Sequence, residues 1–330
     1  MKPWTATVVG CGRIGSSFSA QPHQGVVSHA EAIVNNPHTR LVAVCDTHAA
    51  SANGAAELWG LDAAWSDLGG MLARARPDIV SICVPDSLHF EVGKEVMMCP
   101  STKVVIMEKP LALNLAEARG LVKLAGDRNI GLAVNYSRRF ATGIQRLKSI
   151  LAAGGIGEIQ CVTGHYTNGL LHNGSHWLDL LTSLLGRVTT IAASNPLQDA
   201  GGDPTLELRL ELAGGGTVSL QPCREAFFSC FDMDIIGRTG RATIGDFGNL
   251  ISLSQVAPDP QYAGFSCLRQ TAAWAGGLDQ ALPAMLTNAL GYLNGSEALC
   301  STGADALQTL ELCFAGRESH HRGHSIRLSS

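Results

Sequence analysis

The run Gly10-Cys11-Gly12-Arg13-Ile14-Gly15 directly follows an apolar stretch at residues 5–9, and this juncture constrains the fold more than any other feature. An apolar strand ending in G-x-G-x-x-G feeds a tight turn that bares backbone N–H groups. The helix starting there offers its positive end to a diphosphate. Such a turn belongs at the carboxyl end of a parallel strand, which commits this part of the chain to a doubly wound α/β sheet. A second strand-like run, 41–45, ends in Asp46, an acid placed to accept hydrogen bonds from the ribose hydroxyls of an adenosine and to repel a 2′-phosphate. Gly10, Gly12, Arg13, Ile14, Gly15 and Asp46 are therefore the expected cradle for NAD, favoured over NADP. The interval from Gly15 to Asp46 exceeds the usual spacing of about 20. The excess falls in residues 16–27, which hold Pro22 and Gly25 and read as an inserted loop.

The alternation continues. Short, almost wholly apolar strand-like runs at 5–9, 41–45, 79–84 and 104–107 are separated by helix-like runs at 28–35, 49–59, 68–75 and 88–97. That pattern is the mark of a parallel sheet covered on both faces. A helix at 113–125 and a strand at 131–135 extend it. From residue 137 the pattern changes: a helix at 140–151 leads into strand-like runs at 158–166, 188–193, 205–212, 217–221, 231–237, 242–244 and 250–254. Turn signals such as Gly214-Gly215-Gly216 predict antiparallel pairing. Helices at 279–293 and 305–314 and a loose polar tail from 318 to 330 close the chain. The expected architecture is a Rossmann domain over residues 1–135 and an α+β domain over 136–330. The second carries a large, mostly antiparallel, open-faced sheet for substrate binding and oligomerisation. Leu206, Leu208, Leu210 and Leu212 alternate along one of its strands and need burial.

At 330 residues, 45% hydrophobic and 16% charged, the chain is long enough for two cores. A net charge of −4 with no basic block argues against a nucleic-acid surface. No window of roughly 20 apolar residues predicts a membrane helix, and the opening residues do not read as a leader. Ten cysteines without a C-x-x-C pair, with Cys45 and Cys83 inside apolar strands, point to buried thiols and a cytoplasmic, reducing location.

Glu108-Lys109-Pro110 ends the strand at 104–107, where ligands sit in an open α/β sheet. Burial beside a positively charged, oxidised nicotinamide would lower the lysine's pKa and make it a base for an alcohol proton. The rival reading is an ion pair with Glu108. His172 and His176 stand four apart, which invites a zinc reading; Gly174 is expected to break the helix such a pair needs, and no third ligand neighbours them, so no metal is expected. His176 opens a helix-like run at 175–185, with Asn173 or Gly174 as its cap. The positive helix end there would favour a neutral imidazole, and Asp179 lies one turn on. Arg138 and Arg139 diverge by about 100° on a helix start, so only one can reach a given ligand.

Taken in order, Gly10–Gly15, Asp46, Cys83-Val84-Pro85 with His89, Glu108-Lys109-Pro110 and Asn135-Tyr136-Ser137-Arg138-Arg139-Phe140 resemble the Gfo/Idh/MocA oxidoreductases over nearly the whole length. The resemblance implies catalysis by Lys109 with His176 facing it across the substrate, in a cleft between two domains. It implies a cis bond before Pro110, cofactor contacts from Pro85, His89 and Glu108, and a homodimer or homotetramer. Substrate contacts are expected from Lys109, Asn135, Tyr136, Arg138, Arg139, His172, Asn173 and His176. His172 departs from the aspartate many relatives carry there. The Asn135–Phe140 run together with Gly169–His176 resembles a subgroup found with surface-polysaccharide and lipid A sugar pathways, the UDP-N-acetylglucosamine 3-dehydrogenases. That subgroup makes a 3-keto sugar for a partner aminotransferase. Dehydrogenation of a free sugar or inositol, NAD-dependent glycosidase chemistry and a non-enzymatic NAD-binding regulator are the alternatives.

Overall fold

The computed structural model describes residues 2–328. The chain divides into two compact units, 1–140 with 279–308, and 141–278 with 309–330.

The first unit holds β1 (Trp4–Val9), β2 (Thr39–Cys45), β3 (Ala64–Trp65), β4 (Ile79–Ile82), β5 (Val104–Met107) and β6 (Gly131–Val134). They form one parallel sheet in the order β3-β2-β1-β4-β5-β6. Strand order reverses between β1 and β4, which creates the crevice where ligands bind in such sheets. The helices are α1 (His29–Asn35), α2 (Ala49–Leu58), α3 (Leu68–Ala75), α4 (His89–Met98) and α5 (Leu115–Asp127). Residues of β4 and β5 are all buried, which is why their runs are apolar but for Ser81.

The second unit holds α6 (Thr142–Ala152), α7 (Ser175–Leu185) and a nine-stranded sheet. Its strands are β7 (Ile159–Tyr166), β8 (Val188–Ser194), β9 (Glu207–Leu212), β10 (Thr217–Pro222), β11 (Phe231–Gly237), β12 (Gly240–Gly245), β13 (Leu250–Pro258), β14 (Ser266–Ala275) and β15 (Ile326–Arg327). Pairing is antiparallel except between β7 and β10. The glycine turn closes the β9–β10 hairpin, with Gly215 and Gly216 at φ of 91° and 89°, a region open mainly to glycine.

Four expectations need correction. The boundary at 135/136 fails because residues 279–308 return to the first unit: Ser301 O accepts the Val134 amide at 3.0 Å, and Thr302 bridges Ala133 on β6. The four leucines need no partner, because Leu206, Leu208, Leu210 and Leu212 are buried in the unit's own core with Trp177, Leu178 and Leu181 of α7. On the opposite face β9 presents exposed Arg209 and Glu211. The tail is ordered: a helix runs from Gly303 to Arg322, Ser319 Oγ accepts the Ala193 amide at 3.0 Å, and β15 pairs with β8. Ser329 and Ser330 lie outside the described residues. Strand β14 has no counterpart in the sequence reading. It is a sheet edge whose residues are mostly exposed, so it lacks the apolar alternation that marks a half-buried strand.

Candidate active site

Each glycine of the loop has its own steric reason. Gly10 adopts φ of 92°, and a Cβ there would meet the backbone of Cys83. A Cβ on Gly15 would collide with the Gly10 carbonyl, whereas one on Gly12 would meet nothing, which leaves that stretch of backbone open to approach. The hydrogen bonds that follow the loop then show why the glycine-to-acid interval is long. Successive carbonyls of Gly12, Arg13, Ile14 and Gly15 accept the amides of Ser16, Phe18, His29 and Ala30. The acceptor ladder is unbroken while the donors skip residues 19–28. Taking that excursion out restores a spacing of about 20, so the inserted loop is a detour between the glycine turn and α1.

Asp46 is fixed by two amides: Oδ2 accepts from Cys11 N and Oδ1 from His48 N, both at 2.8 Å. A carboxylate has further lone pairs for ribose hydroxyls. A cavity of about 480 Å³ adjoins it, lined by Gly10, Gly12, Asp46, Thr47, Val84 and Pro85 among others. These residues fit a dinucleotide: open backbone at Gly12, an acid for the ribose, and apolar walls. Arg13 is exposed, and Ile14 packs on the core. Burial, helped by the charges of Asp46 and Cys45, pushes the Cys11 thiol up to about 12, so it stays protonated and inert. Replacing Asp46 by alanine should cut the preference for NAD⁺ over NADP⁺ by about tenfold, checked by binding titrations of both cofactors. Asp46→Asn keeps an acceptor for the Cys11 amide and should separate loss of the loop from loss of the charge.

His89 takes a position the sequence did not foresee. It is buried outside the cavity wall, with Nδ1 2.6 Å from Pro110 O and Nε2 3.0 Å from Val84 O, and so ties together the loops that follow β4 and β5. The Lys109–Pro110 bond is cis, as expected. Glu108 also points inward. Its Oε1 accepts from Asn135 Nδ2 at 2.6 Å and lies 2.9 Å from His29 Nε2. Burial works against its charge, but the hydrogen bond and charge of His29, the Asn135 amide and Lys109 hold the carboxyl below the usual range. Asn135 is thus engaged by its amino group, while its buried Oδ1 accepts nothing among the described residues. Tyr136 is buried.

The two arginines separate as their geometry requires. Arg139 is buried, 3.1 Å from Asp305 Oδ1, and donates to Cys300 O at 3.3 Å, which makes it a structural cation. Arg138 remains the candidate for a ligand; burial lowers its pKa to about 10.

In the second unit, His172 is exposed and Asn173 half-buried on a π-helical turn, Gly169–Gly174, that runs straight into α7. Gly174 is helical at φ −58° and ψ −35°, so it does not break the helix between His172 and His176. Among the described residues, no three His, Cys, Asp or Glu side chains are grouped to hold a metal ion. Helical backbone begins before His176, and the positive end lies at the amides of Leu171 and His172. Asp203 takes both through Oδ1 and Oδ2, each at 2.9 Å, and Arg317 steadies it. His176 therefore sits inside a capped helix rather than at an open positive end. Asp203 was not foreseen, because a cap supplied from some thirty positions away leaves no local spacing. Asp179 is buried and accepts from Thr309 Oγ1 at 3.3 Å. Tyr166 belongs to the core, its hydroxyl both donating to Leu206 O and accepting from Leu206 N.

Residues 5–136 match the Gfo/Idh/MocA family, described as an oxidoreductase family with an NAD-binding Rossmann fold. The match thus covers the part of the first unit that carries the parallel sheet and its glycine loop. A D-glucoside 3-dehydrogenase of Escherichia coli K12 is 28% identical over 54% of this chain and 51% of its own, so the chain spans about half of that relative. An inositol 2-dehydrogenase of Rhizobium meliloti is 25% identical over 94% of this chain and 95% of its own. The WlbA dehydrogenase from Bordetella pertussis, crystallised with NADH and UDP-GlcNAcA, superimposes with a TM-score of 0.81. It is 21% identical and covers 100% of this chain and 99% of its own. No described helix is long and apolar enough to cross a membrane.

Proposed function

We propose that the chain oxidises a secondary hydroxyl of a sugar with NAD, and that the sugar is carried on a nucleoside diphosphate, as in UDP-N-acetylglucosamine oxidised at C3. The observation that carries this reading is a pair of cations on neighbouring strand ends. β5 and β6 pair from Val104 with Gly131 to Met107 with Val134, so Lys109 and Arg138 follow adjacent strands at the carboxyl edge of the sheet. Lys109 suits the hydroxyl proton and Arg138 a diphosphate, whose two-pronged geometry matches a guanidinium. NAD, when bound, accepts the hydride. Gly10–Gly15 and Asp46 hold it, and Glu108 anchors the turn bearing Lys109. The named ligand of WlbA supports a nucleotide sugar; the names of the glucoside and inositol dehydrogenases support a free sugar or cyclitol.

Arg138→Ala should raise KM for UDP-N-acetylglucosamine about tenfold or more while lowering kcat far less, because the diphosphate lies away from the reacting carbon. Arg138→Lys should rescue only in part. Steady-state NADH absorbance with UDP-N-acetylglucosamine, glucosides and myo-inositol is the test. An unchanged KM, or NAD⁺ reduction by the free polyols alone, would leave the polyol dehydrogenase reading standing.

A further inference from the structure

The excursion at residues 19–28 delivers the chain to His29, and His29 faces two ways. Its backbone amide continues the carbonyl ladder of the glycine loop, donating to Ile14 O at 2.9 Å. Its ring is buried and reaches Glu108 at the far side of the switch point. The excursion is pinned immediately behind it. Ser28 Oγ accepts the Glu31 amide at 3.2 Å and lies 2.7 Å from Ser19 Oγ, and Glu31 Oε2 accepts from both Ser19 Oγ and the Val27 amide. The imidazole therefore has a fixed origin rather than a loop's freedom.

We propose that His29 is a positioning residue of the oxidoreductase. Acting through Glu108, it locks the turn that carries Lys109 to the loop that holds the cofactor. The groups facing Glu108 are His29 from α1, Asn135 after β6, Cys83 after β4 and its own neighbour Lys109. His29 and Asn135 together hold Oε1. Without the His29 bond the carboxylate would be tethered by Asn135 alone, and its charge would bear on Lys109.

The inference rests on Lys109 as the base, so the experiment includes Lys109→Met. His29 is replaced by glutamine, whose amide reaches the place of Nε2, and by asparagine, whose amide falls short of it. Neither change opens a large cavity. His29→Asn should lower kcat on the order of 100-fold with KM and the NAD Kd near wild type, and His29→Gln should restore most of it. Trinitrobenzenesulfonate at a fixed, mildly alkaline pH, read by peptide mass spectrometry, reports on Lys109 whatever the substrate. Labelling should slow several-fold in His29→Asn and not in His29→Gln. Equal labelling rates, or equal kcat in the two variants, would overturn the role of His29. Near-wild-type turnover by Lys109→Met would instead overturn the base assignment.

Discussion

Lys109→Met should abolish turnover, a loss of about 10² to 10⁴ in kcat, while NAD binds nearly as tightly as to the wild type. The variant keeps the side chain's bulk and removes only the amine. The contacts expected to hold the cofactor mainly, Gly10–Gly15 and Asp46, follow β1 and β2, whereas Lys109 follows β5 on the other side of the switch point. Its neighbours are fixed independently: Glu108 by His29 and Asn135, and the Pro110 carbonyl by His89. The turn should therefore survive the change, and the loss should fall on proton removal. Calorimetric NAD titration and single-turnover absorbance separate the two effects. A variant that binds NAD and retains near-wild-type kcat would remove Lys109 from the chemistry.

Arg139→Ala should cost about 3 kcal/mol of stability, because it strands a carboxylate whose cationic partner is almost wholly buried. Asp305 feels burial, which opposes its charge, but the charge of Arg139 and the hydrogen bonds of Thr302 outweigh it and hold its pKa below the usual carboxylate value. A carboxyl depressed in the folded state stabilises above its ordinary pKa, and that contribution disappears as pH falls through the lower, folded value. The wild type should thus lose this contribution on acidification below about 4, and the variant should have little of it left to lose. Thermal unfolding at neutral and acidic pH checks the sign. Equal melting curves for the Arg139 variant and the wild type would contradict the structural assignment.

The parallel sheet was legible because its rules are local. An apolar run, a glycine turn and an acid at the next strand end each declare their place, and β5 falls on the residues its pattern marks. The antiparallel sheet was readable wherever one strand face is buried, and it failed at β14, where both faces are mostly exposed. The strand-end placement of the candidates Lys109 and Asp46 was readable. Not readable were His29, Asp203 and Asp305, whose partners lie 79, 31 or more, and 166 positions away in the chain. Such pairings come from packing, and one sequence carries no record of them. His176 shows a subtler failure: the helix at 175–185 was found at its observed bounds, but the extra winding at 169–174 that leads into it has no residue signature, so the positive end was put one turn too late.

The detour between the glycine turn and α1 bears on how dinucleotide sites are measured. Counting residues from glycine to acid treats the polypeptide as a ruler, and by that ruler this chain is out of specification. Counting acceptors instead, the carbonyls of Gly12 to Gly15 are served in order, and nothing is missing. Length at this point is consequently free to vary without disturbing sheet, loop or acid, provided the chain returns in step at His29. A pattern search with a rigid interval would discard proteins of this design, whereas one that lets the interval float after the third glycine would retain them.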